Sequence, residues 1–316
     1  MKQKLIILTT AITRGNLHLE SIGLFYKKHK YITNIYDIIH IINIDNPIKL
    51  KEQYKPEYTL NLFNKIIPEN IIKIININKD INPTFSKAYK NVINVIHEKQ
   101  LLDDNTLIWW LEDDWKLIKY YNILPILNIL SKIDNSAVNL TNNTPLISFR
   151  GGPIMSKNFF LNYFDISKKL DDNKDPEYKV GKYLRFNEIE YDKNIYIICI
   201  YIIDLIDNNE HIIDMNPSCC WYYKNKFKQT KFSNNRGIKY ILGILNSIDS
   251  DIIYYKKNDN YNNLKIDLND YLNIEKINLE NFNLILENSM INYINIVPHI
   301  FQDIGRNFNS EHNIIK

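Results

Sequence analysis

The chain has 316 residues, 45% of them hydrophobic and 12% aromatic, enough for a packed core and too many for a disordered chain. Its 39 Lys and Arg stand against 36 Asp and Glu, a net charge of +3, so the basic excess of a dedicated nucleic-acid binder is missing. Only 8 glycines occur, with neither GxGxxG nor GxxxxGK[ST], which removes the Gly-rich phosphate loops.

Residues 4–10 form a short β-branched apolar run that predicts a buried strand. A polar turn with Arg14 and Gly15 follows. Helical spacing of Leu19, Ile22, Leu24, Phe25 and Tyr26 predicts a helix over 17–30, with Asn16 as its N-cap. Strands are predicted at 35–45, 70–78 and 106–112, and a helix at 83–99 with Pro83 in its first turn. This β-α-β-(α)-β-α-β order predicts an α/β fold, with a mostly parallel sheet covered by helices. Further on, helices are predicted at 124–133, 157–164 and 175–186, and strands at 137–142, 146–149 and 196–205. Residues 224–236 read as a basic loop, and 249–296 show only weak periodicity. No internal repeat or clean linker divides the chain, so one domain over 1–316 is expected.

Isoleucine and asparagine dominate the composition, and lysine and tyrosine are abundant. All four have AT-rich codons, which fits an AT-rich genome, those of large DNA viruses included. Residues that run against this drift (Gly, Trp, Pro, Arg, His) therefore carry more information. Cys199, Cys219 and Cys220 form neither a disulfide framework nor a CxxC zinc site, which suits a reducing compartment. The apolar run after Lys4 is too short for a leader and is broken by Thr9, Thr10 and Arg14. The longest apolar stretch, 195–203, falls far short of a membrane span. The expectation is a soluble cytoplasmic protein, in a host cytoplasm or virion if viral.

The segment that carries chemistry is Leu107-Ile108-Trp109-Trp110-Leu111-Glu112-Asp113-Asp114-Trp115. A buried strand runs directly into three carboxylates. An acidic triplet is ordinarily a solvated turn, but here it ends an apolar, aromatic strand of a predicted parallel sheet, where ligands bind in such folds. Three like charges there call for a counter-ion, and Mg²⁺ or Mn²⁺ takes one or two carboxylates together with phosphates and water. Other chemistry-bearing types are dispersed. His18, His40 and His97 lack partner spacing and read as structural. Lys224, Lys226, Lys228, Lys231 and Arg236 read as a solvated loop or a lid over phosphates. Trp221, Tyr222 and Tyr223 read as core or as a sugar platform.

With these residues in view, the chain resembles glycosyltransferases of the GT-A fold, family 2-like, whose DxD motif Glu112-Asp113-Asp114 matches in an EDD form. The resemblance implies a Rossmann-like nucleotide-sugar half over 1–115 and an acceptor half over 116–316. It implies Asp114 as primary ligand of Mn²⁺ or Mg²⁺, with Glu112 and Asp113 supporting metal or donor. Thr10 and Arg14, after the first strand, would meet the nucleotide. Gly151-Gly152 is similar to the glycine turn at the acceptor edge. Asp175-Pro176-Glu177 sits where inverting members carry their general base, as DPE rather than the usual acidic pair, so either Asp175 or Glu177 is the candidate; Asp175 also suits a helix N-cap before Pro176. His299 and Arg306 resemble a closing H-x-G-R-like segment, with His299 completing the metal shell and Arg306 meeting the diphosphate. The function implied is a metal-dependent, inverting transfer from a UDP- or GDP-sugar to a glycan or other hydroxyl. A Mg²⁺-dependent phosphoryl-transfer or nuclease enzyme, and a non-catalytic binding protein, are the alternatives from other classes; a two-metal site would need more gathered carboxylates than the sequence displays.

Overall fold

The computed structural model describes residues 2–45, 55–80, 83–117, 122–140 and 153–165, and the backbone of the strands between 194 and 303 named below. The first strand, β1 (Gln3–Ile12), lies inside the sheet, with β2 (Tyr36–Asp45) parallel on one side and β4 (Leu107–Trp110) parallel on the other. β3 (Ile72–Asn78) pairs parallel with β2 and closes that edge. Consecutive side chains of β1 enter opposite layers: Leu5 and Ile7 face one core, Ile6 and Leu8 the other. Trp109 and Trp110 divide in the same way. Burial on both faces is why these strands read as unbroken apolar runs.

One face is covered by the helical segment of residues 17–28, a π-helical turn (Leu19–Gly23) continued by α1 (Leu24–Lys28), together with α2 (Pro56–Ile66) and α4 (Leu124–Lys132). The other face carries α3 (Phe85–Glu98) and α5 (Lys157–Phe159). Tyr89, Val92, Ile93 and Ile96 form the buried stripe of α3, at the spacing an amphipathic helix requires.

Beyond β4 the sheet continues through β7 (Ile154–Ser156), antiparallel to both neighbours, and β6 (Ser136–Asn139). It extends through β14 (Ser289–Val297), β8 (Asn194–Ile202) and β10 (Ile238–Leu245), all parallel, to the antiparallel β11 (Ile252–Asn258) and β13 (Lys276–Asn278). The eleven strands run in the order β13-β11-β10-β8-β14-β6-β7-β4-β1-β2-β3. Two small antiparallel ribbons stand apart: β9 (Ile212–Asp214) with β12 (Lys265–Asp267), and β5 (Trp115–Leu117) with β15 (Phe301–Asp303). The fold is mixed α/β with a mostly parallel central sheet flanked by helices. No helix among the described residues is long and apolar enough to cross a membrane.

The predicted elements that fall on described residues among the first 165 recur with shifted ends. Asn16 does not cap its helix with its side chain; its Oδ1 accepts from Tyr58 Oη at 3.0 Å instead. Thr84, not Pro83, opens α3, its Oγ1 accepting from Lys87 N. β5, β7, β9, β10, β15 and the strands of 249–296 were not predicted. The predicted strand at 146–149 and helix at 175–186 lie outside the described residues, as do Gly151, Gly152, Cys219, Cys220, and the basic and aromatic residues of 221–236.

Candidate active site

Three parallel strands end at one edge, and each delivers polar groups there. β1 contributes Thr10, Ala11 and Ile12 and leads into Arg14. β2 ends on Asp45. β4 gives way to Glu112, Asp113 and Asp114. With Pro83, Thr84, Phe85 and Ala88 at the start of α3, these residues line a cleft of about 360 Å³. The position is the carboxyl edge of a parallel sheet, where α/β folds bind ligands. The positive end of the α3 dipole meets the same cleft.

The acidic turn is held from behind. Leu111 N donates to Leu8 O at 2.9 Å, tying the end of β4 to β1. Thr9 Oγ1 donates to Leu111 O at 2.6 Å and so uses its only proton. The 2.9 Å contact between Thr9 Oγ1 and His40 Nε2 must then be donated by His40, leaving Nδ1 to accept from Tyr26 Oη at 2.8 Å. Burial lowers the His40 pKa to about 3 and raises that of Tyr26, so the ring is neutral and the phenol keeps the proton it donates.

The two aspartates diverge. Asp113 turns inward, its side chain 5% exposed, and Oδ2 accepts from Ile12 N at 3.2 Å. Its backbone carbonyl accepts from Ser21 Oγ. Burial pushes Asp113 above the usual carboxylate range, opposed by the Arg14 guanidinium and the Ile12 N–H. Asp114 faces the cleft and pairs with Arg14, Nη1 to Oδ2 at 2.5 Å, while Arg14 Nε stands 3.8 Å from Asp113 Oδ2. Burial alone would lower the Arg14 pKa; Asp113, Asp114 and Glu112 outweigh it and raise it. Behind Asp113 lies His18, wholly buried, with Nδ1 3.7 Å from Oδ2. Burial first, and Arg14 second, bring its pKa down to about 4, so Arg14 and not His18 supplies the positive charge here.

Asp45 was not singled out from sequence. The available signal was its place as the last residue of a strand adjoining β1, at the edge where ligands bind. It accepts at Oδ1 from Asn43 Nδ2 and Asn78 Nδ2, both at 2.8 Å. Burial raises its pKa and these two hydrogen bonds oppose the rise. Asn43 Oδ1 in turn accepts from Asn76 at 2.9 Å and from Asn91 of α3 at 3.1 Å.

Of the residues chosen from sequence, Thr10, Arg14, Glu112, Asp113 and Asp114 come together in this cleft. His299, Arg306, Asp175 and Glu177 lie outside the described residues. The middle of the closing segment is described: β15 pairs with β5, Asp303 opposite Trp115, so residues 301–303 run beside the strand that follows Asp114. Among the described residues, no three His, Cys, Asp or Glu side chains gather around one point. Inward-turned Asp113 accounts for this within the triplet. Asp114 and Glu112 nonetheless suit a hard cation that takes its remaining oxygens from phosphates and water.

No family model matches the chain, and no curated protein matches it. Among solved structures it is similar to a mannosyltransferase from Pyrobaculum calidifontis in complex with GDP-Man and Mn²⁺, at 7% identity and a TM-score of 0.36, over 51% of this chain and 46% of that one. The chain thus spans less than half the length of that protein. It is also similar to a 4-diphosphocytidyl-2C-methyl-D-erythritol synthase, at 10% identity and a TM-score of 0.36, over 58% of this chain and 86% of that one.

Proposed function

We propose that the chain is a metal-dependent glycosyltransferase that moves a sugar from a nucleoside-diphosphate sugar to a hydroxyl acceptor, built on a GT-A type fold. The observation that carries this reading is the convergence of Thr10–Arg14, Asp45 and Glu112–Asp114 on one cleft at the carboxyl edge of the sheet. Four carboxylates and one guanidinium line it, so a diphosphate would be repelled unless a divalent cation came with it. In this reading Asp114 is the primary ligand of Mn²⁺ or Mg²⁺ and Glu112 assists. When bound, the cation offsets the charge that develops on the leaving diphosphate. Asp113 supports the turn through Ile12 and Ser21 and holds Arg14 near. Thr10 and Asp45 offer hydroxyl and carboxylate to the nucleoside. His299 and Arg306 would close the site from the segment that carries β15.

For transfer with inversion, the acceptor oxygen attacks the anomeric carbon as the bond to the diphosphate breaks. The acceptor proton passes to a carboxylate within hydrogen-bond reach, for which Asp175 or Glu177 is the candidate. In this scheme residues 1–115 hold the donor and 116–316 the acceptor, with activity in a cytoplasm.

Calorimetry with Mn²⁺ and a panel of UDP- and GDP-sugars tests the reading. Metal-dependent nucleotide binding is expected, and Asp114→Asn should lower it by at least about 100-fold at a stability cost of about 1 kcal/mol, since the amide oxygen can still accept from Arg14 and the largely buried pair loses its charge rather than its hydrogen bond. Release of nucleoside diphosphate with glycosylated acceptor identifies the reaction. Pyrophosphate release would identify a nucleotidyl transfer instead, and an absence of nucleotide binding with Mn²⁺ present would end the proposal.

A further inference from the structure

Arg14 occupies the side of the acidic turn that a metal would approach. Its Nη1 is 2.5 Å from Asp114 Oδ2, and its side chain is 11% exposed. The fork is poorly matched to these partners. Nε is buried, stands 3.8 Å from Asp113 Oδ2, and makes no hydrogen bond among the described residues. A planar guanidinium is best satisfied by two parallel bonds to one acceptor, and a phosphate offers them. Arg14 also sits in a short loop, after β1 ends at Ile12 and before Gly15, whose φ of 60° favours a residue without Cβ.

We propose that Arg14 is a resident counter-ion of the acidic turn that changes partner when the site loads: a divalent cation takes Asp114, and the freed guanidinium turns to the phosphate of the incoming nucleotide. This rests on the reading above, that the cleft holds a cation and a nucleoside diphosphate. A dication and a guanidinium on one carboxylate repel each other, so arrival of the metal weakens the 2.5 Å pair. The unloaded turn is then never left with its charges unpaired. Arg14 competes with the metal when the ion arrives alone and cooperates with it when a nucleotide arrives as well.

The test titrates Mn²⁺ alone into the full chain, read by calorimetry and by the electron paramagnetic resonance signal of the free ion. Arg14→Met should bind Mn²⁺ at least about five-fold more tightly than the unaltered chain, because its competitor is gone. Adding UDP or GDP should tighten Mn²⁺ binding in the unaltered chain by a larger factor than in Arg14→Met. Equal or weaker Mn²⁺ binding by Arg14→Met, with Asp114→Asn still losing the ion, overturns the exchange and leaves the proposed function standing. No uptake of Mn²⁺ by either protein, with UDP and GDP both tried, overturns both. A second measurement needs no variant: phenylglyoxal modification of Arg14, mapped by mass spectrometry, should quicken several-fold on adding Mn²⁺ and slow again with UDP or GDP. A rate indifferent to Mn²⁺ overturns the exchange.

Discussion

At the scale of single residues, Asp113 gives its carboxylate to the protein interior while Asp114, next in the chain, gives its own to the cleft. Asp113 Oδ2 accepts the Ile12 N–H and faces Arg14 and His18 from a side chain 5% exposed. Replacing it by alanine strands a buried N–H and part of a buried guanidinium. Asp113→Ala should therefore lower stability by about 3 kcal/mol, read as the urea midpoint, where Asp114→Asn lowers it by about 1. The sequence displayed three carboxylates and the strand that carries them. It could not display which of them points inward, because that depends on where the 17–28 helix sets Ser21 and His18 against the turn. Asp45 went unread for a related reason: an aspartate before Asn-Pro looks like any strand terminus until β2 is known to lie beside β1.

Among elements, the helical segment 17–28 shows how local pattern and tertiary packing divide the work. Its apolar spacing was legible: Ile22, Phe25 and Tyr26 are buried as expected and Leu24 partly so, whereas Leu19, expected on the same face, is exposed. The π-helical turn at Leu19–Gly23 was not, since a widened turn answers to packing rather than to propensity. Gly23 sits in this segment with ordinary helical φ and ψ. A Cβ there would stand 3.5 Å from His18 O and 3.8 Å from Ile66 Cβ, normal van der Waals distances. Gly23→Ala should thus raise stability by about 0.5–1 kcal/mol, measured by thermal or urea unfolding, by removing backbone freedom from the unfolded chain. The edge strand β3 makes the complementary point. Asn76 and Asn78 lie opposite Asn43 and Asp45 and bond to them, so asparagines that read as codon drift form a side-chain ladder behind the cleft.

For the whole molecule, the buried histidines set a pH dependence with a definite sign. His18 and His40 are neutral in the fold, with pKa values lowered to about 4 and about 3, while in the unfolded chain each titrates near 6.5. Their contribution is complete above about pH 6.5 and is lost as pH falls toward those values, at up to about 1.4 kcal/mol per unit for each. Asp113 and Asp45, raised by burial, act in the opposite sense and favour the fold on acidification. Comparing the unaltered chain with His40→Asn separates the two: the advantage of the unaltered chain should shrink by about 2 kcal/mol between pH 6.5 and 5. A constant difference in urea midpoints would show that His40 is not buried neutral. By itself the sequence determined the alternation of strands and helices in the first half and the carboxylate-bearing end of β4, because hydrophobic period and composition are local properties. Strand order, the antiparallel insertion of β7, the pairing of β5 with β15 and the meeting of Arg14 with Asp114 were decided by tertiary structure alone. Each joins residues far apart in the chain, and such contacts are selected by packing two faces of one sheet at once, which no window of neighbouring residues contains.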